Sequence, residues 1–360
     1  MAEDADDNIV DPRDAAESAG LIYVTNADPG VTRRRAGKGW AYTDAAGARI
    51  KDRGEIDRIN ALAIPPAYAD VWICADADGH LQATGRDAKG RKQYRYHPRF
   101  REIRDGTKYE HMIDFAHALP RIRARVDADM KRRGLSRDKV LATVVHLLET
   151  TMIRVGNADY AKQNESYGLT TLENEHVDVD GSQLKFHFKG KSGKTWKLSI
   201  RDRRVAKIVK ASQDLPGEHL FQYLDDTGEQ HSVTSGDVNA YLHEVADAAV
   251  TAKDFRTWTG TVLAALALVE FERVDSDAAA KRNVRAAIEQ VAARLGNTPT
   301  VCRKCYVHPE VLDSYLAREL VLEVQEEVAK ELREDLATLR PEEALVLAFL
   351  QRRLAGKPAA

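Results

Sequence analysis

Tyr306 stands in a stretch whose residue types favour chemistry on phosphate. It follows a predicted helix over 278–295, which Asn297 and the glycine before it would end, and Arg303 and Lys304 precede it closely. A phenol, with a pKa near ~10, is a weak nucleophile unless positive charge stabilises its phenolate. The sequence therefore offers a tyrosine nucleophile, although a half-buried helix tyrosine would show the same local pattern.

Four other side chains could act on the same phosphate. Arg154 follows a predicted helix over 139–153, Lys191 falls in a predicted hairpin turn, and Arg256 begins an apolar helix. Cations at such positions can bind the non-bridging oxygens of a phosphodiester, and a lysine can protonate the leaving oxygen. With Asn297 as an amide, the set suits attack of a tyrosine on a phosphodiester. Each cation is also compatible with an ordinary surface or turn position.

The sequence predicts no metal and no cofactor. Cys302 and Cys305 form a C-x-x-C pair, but no second pair follows, and His308 is the one extra ligand nearby, whereas a structural zinc site needs four ligands. With Cys74, the chain has three cysteines, too few for a disulfide framework, which favours a reducing compartment. A phosphate-binding Gly-x-x-x-x-Gly-Lys-Ser/Thr loop is absent, so no nucleotide cofactor is expected.

Length and charge patterning bound the class of protein. The 360 residues predict two domains, and 43% apolar with 31% charged residues are typical of a soluble globular chain. Without an 18-residue apolar run or a signal-like start, no membrane partner is expected. The net charge of −2 hides an uneven distribution: residues 1–18 carry seven acids and one arginine, and residues 86–104 carry eight bases and two acids. The acidic segment 1–18 is expected to be a disordered tail.

The basic segment follows a region of short predicted strands at 21–24, 39–42, 71–75 and 81–85, with a helix over 55–62. In this segment, arginines and lysines alternate with tyrosines and a glutamine. Arginine and lysine side chains can neutralise phosphates, arginine and glutamine can also read the edges of nucleobases, and tyrosine can stack on sugars or nucleobases. This favours contact with nucleic acid over a solvated basic loop. The predicted contact residues are Arg86, Lys89, Arg91, Lys92, Gln93, Tyr94 and Arg95.

The remainder of the chain has mostly helical periodicity. Alternation at 184–188 and 195–200 predicts one β-hairpin, with Lys191 at its tip. The sequence thus predicts an α+β protein with a small β-rich N-terminal domain, 19–106, and a larger, mainly helical catalytic domain, 107–360. Further predicted helices cover 111–126, 139–153, 201–212, 237–251, 253–271, 310–334 and 341–354.

Six segments, in order over roughly residues 20–320, resemble the poxvirus-like and bacterial branch of the type IB DNA topoisomerases. Each is weakly specific alone, but their order is specific. The segments are Ile64-Pro65-Pro66-Ala67-Tyr68 with Val71-Trp72-Ile73; Gly79 through Asp87 continuing to Gln93-Tyr94-Arg95-Tyr96-His97; Arg154-Val155-Gly156-Asn157; Phe188-Lys189-Gly190-Lys191; Lys253-Asp254-Phe255-Arg256-Thr257-Trp258; and the Tyr306 stretch.

The resemblance implies two domains that close as a C-clamp around duplex DNA. It implies that Tyr306 attacks a backbone phosphate, giving a 3′-phosphotyrosyl bond and a free 5′-hydroxyl. The DNA would swivel and the hydroxyl would reverse the attack, without ATP or metal. A monomer acting on duplex DNA in the cytoplasm, associated with the nucleoid, is therefore expected.

The resemblance also implies roles for single residues. Arg154 and Arg256 would bind the scissile phosphate, and Lys191 would be the general acid for the 5′ oxygen, with assistance from Arg154. Tyr160 and Lys253 match positions that contact phosphate near the site.

Two points depart from the pattern or leave a choice. The family usually has histidine where this chain has Asn297, nine residues before the tyrosine. An asparagine can donate the same hydrogen bond but cannot carry a charge, so a weaker contribution is expected, with rate and pH dependence altered. Lys189 and Lys194 flank Lys191, which is preferred as the acid because of its Phe-x-Gly-Lys context.

Two alternatives remain at this stage. A tyrosine recombinase uses the same chemistry but typically has a His-x-x-Arg-His pattern, where this chain has Lys253 and Thr257 around Arg256, and a helical N-terminal domain. A catalytically silent architectural DNA-binding protein would also use the basic segment; it predicts salt-sensitive binding without a covalent adduct.

Overall fold

The computed structural model describes residues 11–37, 39–271, 274, 276–322 and 339–355. The chain divides into two compact units with the boundary between Glu110 and His111. The sequence places the boundary near 106, and both positions fall within a single long helix, α3 (Pro98–Asp129).

The first unit is built on an antiparallel five-stranded sheet with the order β2-β1-β3-β4-β5. Three of its strands match the predicted ones at 39–42, 71–75 and 81–85. The predicted strand 21–24 is wrong, because Ile22 makes only an isolated bridge to Gly79. The strands are β1 (Gly30–Ala36), β2 (Gly39–Thr43), β3 (Ala69–Cys74), β4 (Leu81–Arg86) and β5 (Lys92–Tyr96).

Helix α2 (Arg53–Ala61) supplies the apolar partner of this sheet. Asp52 caps it by accepting the Glu55 backbone N–H at 2.8 Å. Ile59 from the helix clusters with Val31 and Ile73 from the strands, all of them buried. The sheet thus has one apolar face covered by a helix, as expected of a small β-rich domain.

The prediction of a disordered acidic tail needs correction in its last part. Residues 1–10 lie outside the described residues, but Pro12–Ser18 forms a helix, α1. Ala15 and Ala16 are buried and cluster with Phe100. The acidic composition concealed a short apolar face, and burial of that face stabilises the helix.

The second unit is mainly helical, so the α+β class is confirmed. Its helices, which follow α3, are α4 (Arg137–Thr151), α5 (Ala158–Asn164), α6 (Arg203–Gln213), α7 (Ser235–Ala246), α8 (Ala252–Glu270), α9 (Asp277–Leu295), α10 (Pro299–Cys305), α11 (Pro309–Leu316) and α12 (Pro341–Ala355). The predicted helix 310–334 is shorter, ending at Leu316, and its residues from 323 onward lie outside the described residues.

Helices α4 and α8 form the centre of this unit. Most apolar residues of α4 are buried, namely Val140, Leu141, Val144, Val145, Leu147 and Leu148. In α8, Phe255 and Trp258 are almost fully buried. Because both helices are enclosed, the residues at their ends occupy fixed positions.

A three-stranded antiparallel sheet with the order β6-β7-β8 completes the second unit, together with a short pair, β9 (Gln222–Leu224) and β10 (Gln230–Ser232). Strands β7 (Gln183–Lys189) and β8 (Thr195–Arg201) form the predicted hairpin, and β6 (Val177–Asp180) lies beside β7. None of the helices in the described part of the chain has the length and apolarity that crossing a membrane requires.

Candidate active site

Arg256 is anchored from two sides near the start of α8. Thr251 and Asp254 form a capping box there, in which the Asp254 carboxylate accepts the Thr251 backbone N–H at 2.8 Å. The Arg256 side chain is buried and donates from Nη1 to the Met152 carbonyl and from Nη2 to the Leu295 carbonyl at 2.7 Å. These bonds connect the ends of α4 and α9 to the start of α8.

Arg154 lies in the loop that follows α4. Met152 ends that helix in the left-handed conformation, with φ of 59°. The loop backbone is fixed by two hydrogen bonds, from Leu169 N–H to the Arg154 carbonyl at 2.9 Å and from Thr170 N–H to the Val155 carbonyl at 2.7 Å. The position of Arg154 is therefore set by tertiary contacts as well as by its helix.

Asn297 follows the end of α9. Gly296 adopts φ of 64°, and Asn297 donates its backbone N–H to the Ala292 carbonyl at 2.9 Å, which confirms the predicted helix stop. The Asn297 Oδ1 accepts a hydrogen bond from Arg154 Nη2. The turn thus places the amide against Arg154.

Tyr306 ends α10 and donates its backbone N–H to the Cys302 carbonyl at 2.9 Å. Its ring centroid lies 5.1 Å from the guanidinium carbon of Arg256. The backbone of Tyr306 also packs against Gly260 of α8, where an added Cβ would come within 2.4 Å of the Tyr306 carbonyl oxygen. Tyr306 is therefore held in place by the same helix that carries Arg256.

Positive charge changes the acidity of this phenol. Burial alone would raise the pKa of Tyr306, but the charges of Arg256 and Arg154, a hydrogen bond with Arg256 and a smaller effect of Lys253 more than offset it and lower the pKa below its ordinary value. Burial and the charge of Arg154 in turn lower the pKa of Arg256 to about 10. The site thus favours a negative charge on Tyr306.

Arg303 and Lys304, which the sequence made candidates for this effect, are exposed on α10. They are not among the main charges that lower the pKa of Tyr306. The sequence predicted a joint effect of Arg303, Lys304 and two upstream arginines, and the arginine charges that lower the pKa are those of the upstream pair, Arg154 and Arg256.

Two buried N–H groups in the site point to an anion. Arg256 Nε and Asn297 Nδ2 have no hydrogen-bond partner among the described residues. Buried polar atoms usually have partners, and an exception within a site can be satisfied by a water, an ion or a ligand. A donor on a guanidinium and one on a neighbouring amide suit the oxygens of a phosphodiester.

Lys253 lies in the first turn of α8, near enough to Tyr306 to lower its pKa. Lys191 lies in the exposed turn between β7 and β8, as predicted, in a short 3₁₀ turn over Lys191–Gly193. Tyr160 belongs to α5, but its side chain is outside what the structure describes. Arg154, Arg256, Asn297 and Tyr306 are thus brought together directly, and the role of Lys191 stays a prediction.

The C-x-x-C pair lies within α10. Both Cys302 and Cys305 are free thiols, and Cys302 is fully buried. Burial raises the pKa of the Cys302 thiol to about 11, which disfavours the thiolate that a zinc ion would need.

In the first unit, Asp87 organises the turn between β4 and β5. Its carboxylate accepts hydrogen bonds from Lys89 N at 2.9 Å, Arg91 Nε at 2.8 Å and Gln93 Nε2 at 3.2 Å. Arg86 donates to the Gly90 carbonyl at 2.9 Å across the same turn. The basic turn is thus a defined structure in which an acid holds three of the predicted contact residues.

Strand β5 carries the other predicted DNA-contacting residues and is an edge strand of the sheet. Tyr94 is 38% exposed and stacks on Tyr96 at 6.0 Å, with Lys92 Nζ 5.3 Å from its ring centroid. Lys92 also donates to Asn26 at 2.7 Å, and Arg95 to the Ala63 carbonyl at 3.1 Å. The strand thus carries basic side chains and an aromatic ring at the edge of the sheet.

Two residues of the site were missed in the sequence. Gly260 stands alone within an apolar helix, four residues after Arg256, and an isolated helix glycine can indicate close packing. Trp196 of β8 contacts Gly190 and Gly296, and only the three-dimensional structure brings these together.

Comparison with known proteins gives matches to two family models. The family described as eukaryotic DNA topoisomerase I, catalytic core, matches residues 97–335. The family described as bacterial DNA topoisomerase IB, N-terminal domain, matches residues 39–87. The first match covers most of the second unit and includes every predicted catalytic residue.

Two of the similar proteins are viral DNA topoisomerases. The chain is 31% identical to DNA topoisomerase 1B of Acanthamoeba polyphaga mimivirus over 293 residues, which are 79% of this chain and 87% of the relative. It is 24% identical to DNA topoisomerase 1B of vaccinia virus (strain Western Reserve) over 68% of this chain and 75% of the relative. The similarity runs through both units, and the chain belongs to the family of type IB DNA topoisomerases.

Proposed function

We propose a residue-level mechanism for the relaxation of supercoiled duplex DNA, the activity of the type IB topoisomerases. The observation that carries it is the position of the Tyr306 ring, 5.1 Å from the Arg256 guanidinium carbon. Unpartnered N–H groups of Arg256 and Asn297 lie in the same site. A nucleophile beside donors for the phosphate oxygens is the arrangement that attack on a phosphodiester requires.

In the cleavage step, Tyr306 loses its phenolic proton to solvent and its oxygen bonds to the phosphorus of one strand. The bond from phosphorus to the 5′ oxygen breaks, and that oxygen takes a proton from Lys191. The products are a 3′-phosphotyrosyl bond and a free 5′-hydroxyl. Negative charge on the non-bridging oxygens grows in the transition state, and Arg154, Arg256 and Asn297 stabilise it.

The reverse step restores the DNA after the free end has swivelled. The 5′-hydroxyl attacks the phosphotyrosine, neutral Lys191 accepts its proton, and Tyr306 leaves as the phenolate that the arginine charges stabilise. Because one phosphodiester replaces another at each step, the cycle needs no ATP. The charge stabilisation by arginines takes the place that a metal ion has in other phosphoryl-transfer sites.

Residues around this centre complete the proposal. Lys253, in the first turn of α8, and Tyr160, in α5, contact phosphates next to the scissile one. Arg154 assists the proton transfer from Lys191. Their positions near helix starts and ends suit phosphate binding.

The first unit is proposed to bind the duplex through the β4–β5 turn and strand β5. The cationic side chains there would pair with phosphates, and Gln93 and Tyr94 would reach bases or sugars. Such contacts predict binding that weakens steeply with salt.

One copy of the chain contains all groups of the proposed reaction, so we propose that it acts as a monomer. We also propose that it is cytoplasmic and associated with the nucleoid, because supercoiled duplex DNA is the substrate of the proposed reaction.

The first experiment is relaxation of a supercoiled plasmid in excess EDTA without ATP, with the wild-type chain and Tyr306→Phe side by side. We expect relaxation by the wild type alone. The phenylalanine ring preserves packing against Arg256, so Tyr306→Phe is expected to bind duplex DNA with nearly unchanged affinity.

Relaxation by Tyr306→Phe would show that another residue is the nucleophile. Loss of DNA binding in the same variant would make Tyr306 a structural residue. Joining of two supplied duplexes at paired specific sites would indicate a recombinase instead.

A further inference from the structure

Trp196 lies between two turns of the proposed active site. It is the second residue of β8, is half-buried, and stacks on Phe188 of β7 with parallel rings whose centroids are 6.1 Å apart. On one side its ring faces Gly190, directly before Lys191. On the other side it faces Gly296, directly before Asn297.

Both contacts are too close for any residue larger than glycine. A Cβ on Gly190 would lie 2.8 Å from Trp196 Cδ1 and Nε1, and one on Gly296 would lie 2.6 Å from Cζ2. The φ of Gly190 is −96°, so its backbone does not require glycine, and the ring alone explains the residue type. The absence of a side chain at Gly190 and at Gly296 therefore leaves room for the Trp196 ring between the two turns.

These contacts belong to a closed chain of packing around the site. Arg154 is bonded to Asn297, and its loop accepts a hydrogen bond from Leu169. Tyr167, two residues earlier, donates to the Lys189 carbonyl at 2.8 Å. In the same hairpin, Trp196 packs against Gly190 and against Gly296. The indole ring therefore connects the turn that contains Lys191 with the turn that contains Asn297.

We propose that Trp196 is a positioning residue that holds the turn of the general acid Lys191 in register with the Asn297 turn. This rests on the proposed function, in which Lys191 gives its proton to the 5′ oxygen while Asn297 and the arginines bind the phosphate. Lys191 lies in the exposed turn between β7 and β8, and exposed turns belong to the less stable parts of a fold. Packing of a rigid aromatic ring against this turn constrains it at little cost in conformational entropy.

The test compares two suicide substrates in single-turnover cleavage. One has the ordinary 5′ oxygen at the scissile bond, and the other has a 5′-bridging sulfur, whose departure needs little protonation. Misplacement of a catalytic group by ~1 Å can cost a factor of ~100. For Trp196→Ala we therefore expect cleavage of the oxygen substrate to fall by roughly 10- to 100-fold, and that of the sulfur substrate by only a few-fold. Religation by a 5′-hydroxyl strand should slow in parallel, since the same lysine acts there.

Trp196→Phe keeps a ring on Phe188 and is expected to restore most of the rate. Leu198→Ala is the matched control, because Leu198 is half-buried on the same strand two residues further on. It should leave the ratio of the two substrate rates unchanged. Equal losses of Trp196→Ala on both substrates, or a changed ratio in Leu198→Ala, would overturn the proposal.

A second variant removes doubt about folding. Gly190→Ala leaves the tryptophan in place but puts a methyl group into its space, so it should produce the same preference for the sulfur substrate. Shrinking the ring in the double variant Gly190→Ala, Trp196→Phe should recover part of the loss. An unaffected Gly190→Ala would contradict the proposal.

Lys191→Ala must be measured beside these variants. We expect it to show the largest substrate preference. If Lys191→Ala is equally slow on both substrates, the general acid is another residue, and the proposed role of Trp196 is then contradicted as well. Covalent attachment through Tyr306 would still stand, so failure of this inference and failure of the proposed function give different results.

Discussion

Arg154 donates a hydrogen bond from Nη2 to Oδ1 of Asn297. This bond uses the acceptor atom of the amide, so the NH₂ group is the part that remains to act on a substrate. That group, Nδ2, is buried and has no partner among the described residues. The asparagine that replaces the family's usual histidine can therefore accept from an arginine and donate to a phosphate oxygen at the same time.

Asn297→Ala is expected to slow single-turnover cleavage by roughly 100-fold, the typical loss when one donor to a transition-state oxyanion is removed. Asn297→Asp should be slower still, because it keeps the partner of Arg154 but replaces the donor by a negative charge beside the phosphate. Rates are read from the covalent adduct formed on a suicide substrate. An aspartate variant as active as wild type would show that the amide does not donate to the phosphate.

The lowered pKa of Tyr306 predicts how cleavage depends on pH. At pH values below the pKa of Tyr306, the fraction of phenolate and the cleavage rate both rise with pH. Because the pKa of Tyr306 is lowered, the rate should stop rising at a pH below ~10, the pKa of an ordinary phenol. Removing the charge in Arg154→Gln should raise the pKa of Tyr306 and move the rise to higher pH. The profile is measured with the sulfur substrate, so that protonation of the leaving group does not contribute.

Arg303→Gln is the matched control for this shift. Arg303 is closer to Tyr306 in sequence than Arg154 but is exposed and not among the main charges that lower its pKa. The variant should leave the position of the rise unchanged. A shift in Arg303→Gln equal to that in Arg154→Gln would mean that local sequence, not the buried site, activates the phenol.

Gly260→Ala is expected to reduce cleavage by roughly 10- to 100-fold through misplacement of the nucleophile. The new methyl group would come within 2.4 Å of the Tyr306 carbonyl oxygen, so α10 or α8 must shift. Overpacking typically costs 1–3 kcal/mol, which outweighs the ~1 kcal/mol that alanine gains over glycine in a helix. Suicide cleavage and thermal unfolding measure the two effects.

Gly236→Ala provides the comparison for that substitution. Gly236 lies in α7, and a Cβ there would have only an ordinary contact at 3.6 Å with Thr234 Oγ1. Its unfolding temperature should stay the same or rise, with cleavage unchanged. If Gly260→Ala also left cleavage unchanged and did not lower the unfolding temperature, the close packing of Gly260 against Tyr306 would be unimportant for cleavage.

Periodicity and end signals were sufficient to predict most of the second unit. The stop of α9 at Gly296 and the hairpin around Lys191 have local causes, a left-handed glycine and a tight turn, which a sequence pattern shows directly. The order of six short motifs led to the correct family. Arg154, Arg256 and Asn297 stood out in the sequence because each lies at the end of a predicted helix, whereas Tyr306 was singled out by the basic and small residues around it.

What the sequence could not show depends on contacts between distant segments. The sequence proposed Arg303 and Lys304 together with two upstream arginines as the charges near Tyr306, and only the meeting of three helix ends shows that Arg154 and Arg256 are the ones that lower its pKa. Trp196 carried no catalytic signal because its partners are glycines from two other places in the chain. Helix α1 was missed because its few buried alanines count little in an acidic segment.

The C-terminal helix α12 is attached by a buried ion-pair network, and this predicts a stability effect. Arg123 of α3 donates to Glu343 of α12 at 2.8 Å and to Glu149 of α4 at 2.6 Å. Burial alone would raise the pKa of Glu343, but the hydrogen bond from Arg123 lowers it below its ordinary value. Because the folded pKa is below the unfolded one, this stabilisation is present at neutral pH and is lost as the pH falls through the folded value.

Glu343→Gln is therefore expected to lower the free energy of unfolding by about 3 kcal/mol at neutral pH, since it removes one partner of a buried charge pair. The loss should shrink in acid, where the wild-type carboxyl is itself protonated. Glu342→Gln, one residue earlier in α12 and not part of this network, is the control and should change stability by less than ~0.5 kcal/mol. Denaturant unfolding at neutral and acid pH measures both variants. An effect of Glu343→Gln that stayed constant between the two would mean that packing of α12, rather than the ion pair, is responsible.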